Sequence, residues 1–75
     1  MRLYCIYDKI AKEGSTPFEA KNDDVAWRNY QHVLEKNALR DNEYSLLYIG
    51  VFEKDPVKLT PSDVPIEVFA NRMEE

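Results

Sequence analysis

The chain has 75 residues, a length that allows one domain with a small core. Its formal charge of -4 argues against a generic nucleic-acid binder, because such proteins neutralise phosphates with lysine and arginine. The single cysteine, Cys5, excludes an internal disulfide and fits a reducing compartment. No apolar run is long enough to span a membrane, and charged residues follow too early for a signal peptide, so we expect a cytoplasmic protein.

The first part of the chain predicts two strands. Residues 2–8 (RLYCIYD) are rich in aromatic and β-favouring side chains, which predicts the first strand. Residues 9–17 carry the Gly-Ser-Thr-Pro signature of a loop. The short segment 17–21 (PFEAK) is then expected to return beside the first strand as a long hairpin.

A helix is predicted over about residues 22–38. Asn22 suits the N-cap, and the carboxylates of Asp23 and Asp24 favour the positive end of the helix dipole. The apolar residues recur at helical spacing and form a single stripe. They are Ala26, Trp27, Tyr30, Val33, Leu34 and Ala38.

The remainder of the chain predicts one long and one short strand. Residues 44–52 (YSLLYIGVF) form the long strand, 53–56 (EKDP) a turn, and 57–59 (VKL) the short strand. Residues 60–65 (TPSDVP) are predicted to be a proline-punctuated loop that no strand crosses. Residues 66–73 fit either a short helix or a last edge strand, and the sequence leaves both open.

The predicted fold class is α+β: a small, mainly antiparallel sheet of three to four strands with one amphipathic helix on one face. The whole chain, 1–75, forms one domain, in which residues 60–75 are either loosely packed or a short helix. Strict alternation in the long strand leaves both of its faces largely apolar, and one helix covers only one of them. The C-terminal segment, a second copy or a ligand could cover the other face, and we favour a homodimer. The expected interface residues are Leu47, Ile49 and Val51.

The sequence carries no recognisable catalytic or metal-binding constellation. His32 is the only histidine, it falls on the solvent side of the predicted helix, and it has no partners at metal-ligand spacing. Gly14 and Gly50 are the only glycines, so a phosphate-binding loop is missing. The sequence predicts a protein that is not an enzyme and needs no metal or cofactor.

A nucleic-acid platform is the second hypothesis for the aromatic strands. Tyrosines on paired strands can stack on the bases of a single strand, and flanking basic residues can hold its phosphates. The candidate residues are Tyr4, Tyr7, Tyr48, Arg2, Lys9, Lys12, Lys21 and Arg28.

Two segments resemble a known family: residues 5–36 (CIYDKIAKEGSTPFEAKNDDVAWRNYQHVLEK) and 44–59 (YSLLYIGVFEKDPVKL). They are similar to the small nonstructural protein of microviruses, the gokushovirus branch of single-stranded DNA phages. The resemblance rests on the motifs at 6–9, 17–23 and 48–52, and on Ala26 and Arg28 in the helix. The turn at 53–56 lacks the glycine that family members often have, and nothing is carried over from Thr60 onward.

The resemblance implies an accessory protein without enzymatic activity that acts in the infected cell and is not part of the virion. Proteins of this group are often labelled DNA-binding, or are credited with a part in the switch to single-stranded genome synthesis and packaging. Two functions therefore stand side by side: direct action on single-stranded DNA, or a homodimeric module that engages a phage or host protein without contacting nucleic acid.

Overall fold

The computed structural model describes residues 1–69, which form one antiparallel sheet with a helix on one face, as predicted. The elements in chain order are β1 (Arg2–Asp8), β2 (Glu13–Gly14), β3 (Phe18–Ala20), α1 (Asp23–Lys36), β4 (Tyr44–Lys54) and β5 (Val57–Val68). A single 3-10 turn, Asp41–Glu43, leads from the helix region into β4.

The strand order is β2-β1-β4-β5, and β3 also pairs with β1. β2 and β3 share one edge of β1, because β2 lies beside its end at Tyr7 and Asp8 whereas β3 lies beside its start. The predicted return of residues 17–21 beside the first strand is confirmed. The segment 9–17, predicted only as a loop, also contributes β2.

Helix α1 begins where the sequence places it. The side chain of Asn22 accepts a hydrogen bond from the backbone N–H of Val25 (2.9 Å), which satisfies one of the free donors of the first turn. The helix ends at Lys36, and Ala38 lies beyond it with φ 53°, outside the helical region. The predicted apolar stripe points inward through Ala26, Tyr30 and Leu34.

The core lies between α1 and one face of the sheet, which we call the helix face. Among residues 1–69 the buried apolar side chains are Tyr4, Ala20, Ala26, Tyr30, Leu34, Leu46 and Val68. They come from β1, β3, β4 and β5 as well as from α1, so one small cluster ties the helix to four strands. A core of this size seldom supplies more than about 3–5 kcal/mol of stability.

The C-terminal strand corrects the sequence prediction for residues 60–68. β5 continues through the proline-containing segment to Val68, so the predicted loop and the predicted short helix are wrong there, and the edge-strand alternative is right. Tyr48 pairs with Ile66 and Gly50 pairs with Pro61, so the four residues between Pro61 and Ile66 bulge away from β4. An edge strand tolerates prolines at such an irregularity. Residues 70–73 of that prediction lie outside the described residues.

A bulge in β4 changes which side chains share a face. Tyr4 pairs with Tyr48 and Leu3 pairs with Gly50, so Ile49 is an extra residue between the two pairs. Directly opposed residues of paired strands point to the same side of a sheet. After the extra residue, each side chain of β4 therefore points to the face opposite to the one that strict alternation from Tyr44 would give it. Val51 therefore lies on the helix face beside Arg2, and the prediction that it shares a face with Leu47 is wrong.

Candidate functional site: the open face of the sheet

The sheet face opposite α1, which we call the open face, is defined by the strand register. In β1 it holds the residues that alternate with the buried Tyr4, and in β4 and β5 it holds their cross-strand neighbours. No second helix or sheet occurs among residues 1–69 to pack against it. Its apolar side chains are Leu3, Cys5, Tyr7, Leu47, Phe52, Val57 and Leu59.

Exposure of the open face increases from its centre towards β5. The apolar residues of β1 and β4 are half-buried by their neighbours in the sheet. Val57 and Leu59, in contrast, are 78% and 59% exposed, and they stand opposite Lys54 and Phe52. A contiguous apolar surface of this kind marks an interaction site more often than a bare exterior.

Polar groups on the open face are few. Ser45 is buried and donates a hydrogen bond from its hydroxyl to Oε2 of Glu67 (3.3 Å), which satisfies both groups. Glu19, opposite Leu3 in β3, has its Oε2 buried without a hydrogen-bond partner among residues 1–69. Cys5 lies on the same face, and burial raises the pKa of its thiol, which lowers its reactivity at neutral pH.

Tyr4, a predicted base-stacking residue, is inaccessible. Its side chain is fully buried against Phe18 and Tyr48, with ring centroids 5.9 and 5.8 Å away. Its hydroxyl donates to Oδ1 of Asp23 (2.5 Å). Burial, together with this hydrogen bond to a carboxylate, raises the pKa of Tyr4 to about 12. The prediction that Tyr4 stacks on bases is therefore wrong.

Arg2 and Tyr48 complete the same cluster on the helix face. The Nε of Arg2 donates to the Tyr4 hydroxyl (2.7 Å), and its terminal nitrogen lies 3.1 Å from Asp23. The guanidinium carbon of Arg2 lies 4.2 Å from the centroid of the Tyr48 ring, a cation–π contact. The hydrogen bond to Tyr4 is the main cause of the raised pKa of Arg2. This cluster fastens the N-terminus of α1 to β1, so both residues already serve the fold.

The structure does not gather the other predicted nucleic-acid residues into one patch. Tyr7 lies on the open face opposite Ser45. Lys9 and Lys12 are exposed in the turn that follows Tyr7, at the opposite end of β1 from Arg2. The remaining two, Lys21 and Arg28, are exposed after β3 and on α1. Tyr7 and the two turn lysines are neighbours in the chain, but Lys9 lines a cavity with Trp27 and Tyr30 of α1.

Residues 1–69 show neither a metal-binding cluster nor a membrane-spanning helix. His32 is exposed on α1. Within residues 1–69, no group of three or more histidine, cysteine or acidic side chains is placed to hold a metal ion. No helix in that part of the chain is long and apolar enough to cross a bilayer.

Sequence reasoning missed part of the open face. Strict alternation over residues 44–52 places Phe52 on the face opposite Leu47, and the sequence predicts only a short strand for Val57 and Leu59. A glycine within a strand signals a bulge, and Gly50 is next to the one observed here. The alternation of Val57 and Leu59 with polar residues was the available signal for a second exposed apolar row.

The fold and the site define a small α+β protein whose sheet carries its helix on one side and an apolar face on the other. The family model described as Phage ORF5 protein matches residues 1–74, and the chain therefore belongs to this phage protein family. Comparisons with curated proteins and with solved structures find no significant match.

Proposed function

We propose that the chain is a non-enzymatic phage accessory protein that acts by binding a partner through its open face. The process it serves is the replication or packaging of a single-stranded DNA genome in the host cytoplasm. Membership of the phage family supports the accessory role. The genome type follows from the narrower resemblance to the small nonstructural proteins of microviruses.

The observation that carries the proposal is the apolar composition of the open face. Three adjacent strands contribute apolar side chains to it, and those of β5 are largely exposed. Exposed apolar surface on so small a protein lowers solubility, so its presence is best explained by a partner that covers it. Binding rather than catalysis is the activity that such a surface supports.

The binding role predicts that a charge on the open face abolishes function in cells. Leu47→Lys places an amine in the centre of this face, whereas His32→Lys places the same amine on the exposed side of α1. In cells carrying a phage genome that encodes each variant, we expect Leu47→Lys to reduce packaged single-stranded DNA by at least about tenfold, because a charge on the apolar face weakens binding of the partner. Quantitative hybridisation measures the DNA.

His32→Lys is the matched control and is expected to leave the yield of DNA unchanged. Circular dichroism of both purified variants establishes that they fold. Normal genome yield from a folded Leu47→Lys variant would refute the role of the open face.

Direct contact with single-stranded DNA is the second candidate function. The observation in its favour is local: Tyr7 lies on the open face, and the exposed Lys9 and Lys12 follow it in the adjoining turn. A tyrosine followed closely in the chain by two lysines offers one ring for a base and two amines for its phosphates. The burial of Tyr4, the engagement of Arg2 and the charge of -4 make this the weaker of the two candidates.

The DNA candidate predicts binding that depends steeply on salt. Replacing Lys9 and Lys12 with glutamine removes two phosphate contacts, so the slope of log K against log salt is expected to fall by roughly 1.4 for a single strand. Fluorescence anisotropy of a labelled oligonucleotide measures this slope. The matched control replaces Lys54 and Lys58 at the β4–β5 end and is expected to retain the wild-type slope. No binding by the wild-type chain at low salt would exclude this function.

A further inference from the structure

We infer that the partner of the open face is a second copy of this chain, so that two sheets stack face to face with their helices outside. The inference rests on the proposed function, because it names the occupant of the same surface. Sheets that stack in this way lie about 10 Å apart, with interdigitating side chains. The dimer then has four layers, with helix, sheet, sheet and helix in order.

The distribution of charge on the open face suits an identical partner. In a two-fold dimer each face meets its own copy, so a cluster of one sign would repel itself. The centre of the open face is apolar, while Glu19 stands at the β3 border and Lys54 at the far end of β4. A third charge, that of Glu67, is already hydrogen-bonded to Ser45. Glu19, Glu67 and Lys54 sum to a charge of -1, so the open face repels its own copy only weakly.

The size of the open face fits a small dimer interface. β4 has 11 residues and β5 has 12, and the longest dimension of the molecule is 38 Å. Four strand positions about 4.8 Å apart and up to about 36 Å long give a face of roughly 500–700 Å². Two copies then bury about 1,000–1,400 Å², which reaches the lower bound of about 1,000 Å² for a biological interface.

The sheet edges offer a poorer route to self-association. An added strand needs a continuous row of free backbone donors and acceptors. Pro61 and Pro65 lack backbone N–H groups, and the bulge between Pro61 and Ile66 interrupts the line of β5. The opposite edge consists of β2 and β3, which have two and three residues. The open face is therefore the surface through which copies associate.

Two adjacent residues of β5 provide a matched pair of variants. Leu59 lies on the open face and is 59% exposed in one copy, so its replacement by aspartate leaves the fold of the single chain intact. Thr60 is also exposed but pairs with Val51 and points to the other side. Leu59→Asp and Thr60→Asp add the same charge one residue apart. Only Leu59→Asp buries the added carboxylate in the proposed dimer.

Sedimentation velocity over a series of concentrations tests the inference. We expect a wild-type dimer, a dissociation constant raised by roughly a hundredfold or more in Leu59→Asp, and one within about threefold of wild type in Thr60→Asp. Ordinary interfaces have dissociation constants well below about 100 μM. A wild-type protein that remains monomeric at about 100 μM therefore overturns the inference. So does a dimer that survives both Leu59→Asp and Leu47→Asp with an unchanged dissociation constant.

The result is separable from the test of the proposed function. A wild-type monomer together with a loss of genome yield in Leu47→Lys would mean that the open face binds a different molecule, so that only the inference fails. A dimer disrupted by Leu59→Asp together with normal yield from Leu47→Lys would mean that dimerisation occurs but does not serve the phage, so that only the proposed function fails.

Discussion

Replacing Gly50 with alanine is expected to remove most of the stability of the fold. A Cβ at this position would lie 2.6 Å from the carbonyl oxygen of Thr60 and 2.9 Å from Cα of Pro61. Both atoms belong to the backbone of β5, so no side-chain rotation relieves the contact. The φ of 153° adds strain of about 1–3 kcal/mol, and overpacking adds a similar amount. Together these match the whole stability of about 3–5 kcal/mol that so small a core supplies.

Gly14→Ala is the control for Gly50→Ala. A Cβ on Gly14 meets only the sulfur of Cys5, at 3.3 Å, and this side chain can move slightly. We expect a change in the free energy of unfolding below about 1 kcal/mol. Urea denaturation followed by circular dichroism, at one fixed protein concentration, measures both variants. Equal midpoints for Gly50→Ala and wild type would contradict the close approach of β5 to β4 at this position.

The neighbouring residues Leu46 and Leu47 are expected to respond very differently to truncation. Leu46 is 1% exposed on the helix face, so Leu46→Ala leaves a cavity in the core and costs about 2–5 kcal/mol. Leu47 is half-buried on the open face, where water reaches the vacated space. In the single chain we expect Leu47→Ala to cost less than about 1.5 kcal/mol.

The measurement for this pair is the free energy of unfolding at two protein concentrations. At low protein concentration the single chain dominates, and Leu46→Ala is expected to lower the free energy of unfolding much more than Leu47→Ala does. At high concentration the proposed dimer is expected to add to the stability of the wild type, so the deficit of Leu47→Ala should grow while that of Leu46→Ala hardly changes. Equal costs for the two variants at low concentration would contradict the assignment of the two residues to opposite faces.

Helix α1 and strand β1 could be predicted from the sequence, because each depends on residues that are close together in the chain. The capping side chain of Asn22, the apolar stripe of α1 and the aromatic strand of β1 are local patterns, and each element lies within a few residues of its predicted bounds. Their physical basis is short-range: cap hydrogen bonds and side-chain periodicity arise between residues close in the chain. The α+β class and the uncovered second face of the sheet follow from the same patterns.

Tertiary structure alone decided which residues form the open face. Strict alternation places Val51 on the same face as Leu47 and Phe52 on the opposite face. The bulge at Ile49 inverts this order, because the register of β4 is set by its pairing with β1 and β5. Strand pairing likewise carries β5 past two prolines to Val68. The burial of Tyr4 required the stacked rings of Phe18 and Tyr48 and the carboxylate of Asp23. These contacts join residues far apart in the chain, and a one-residue shift in such pairing moves every later side chain to the opposite face.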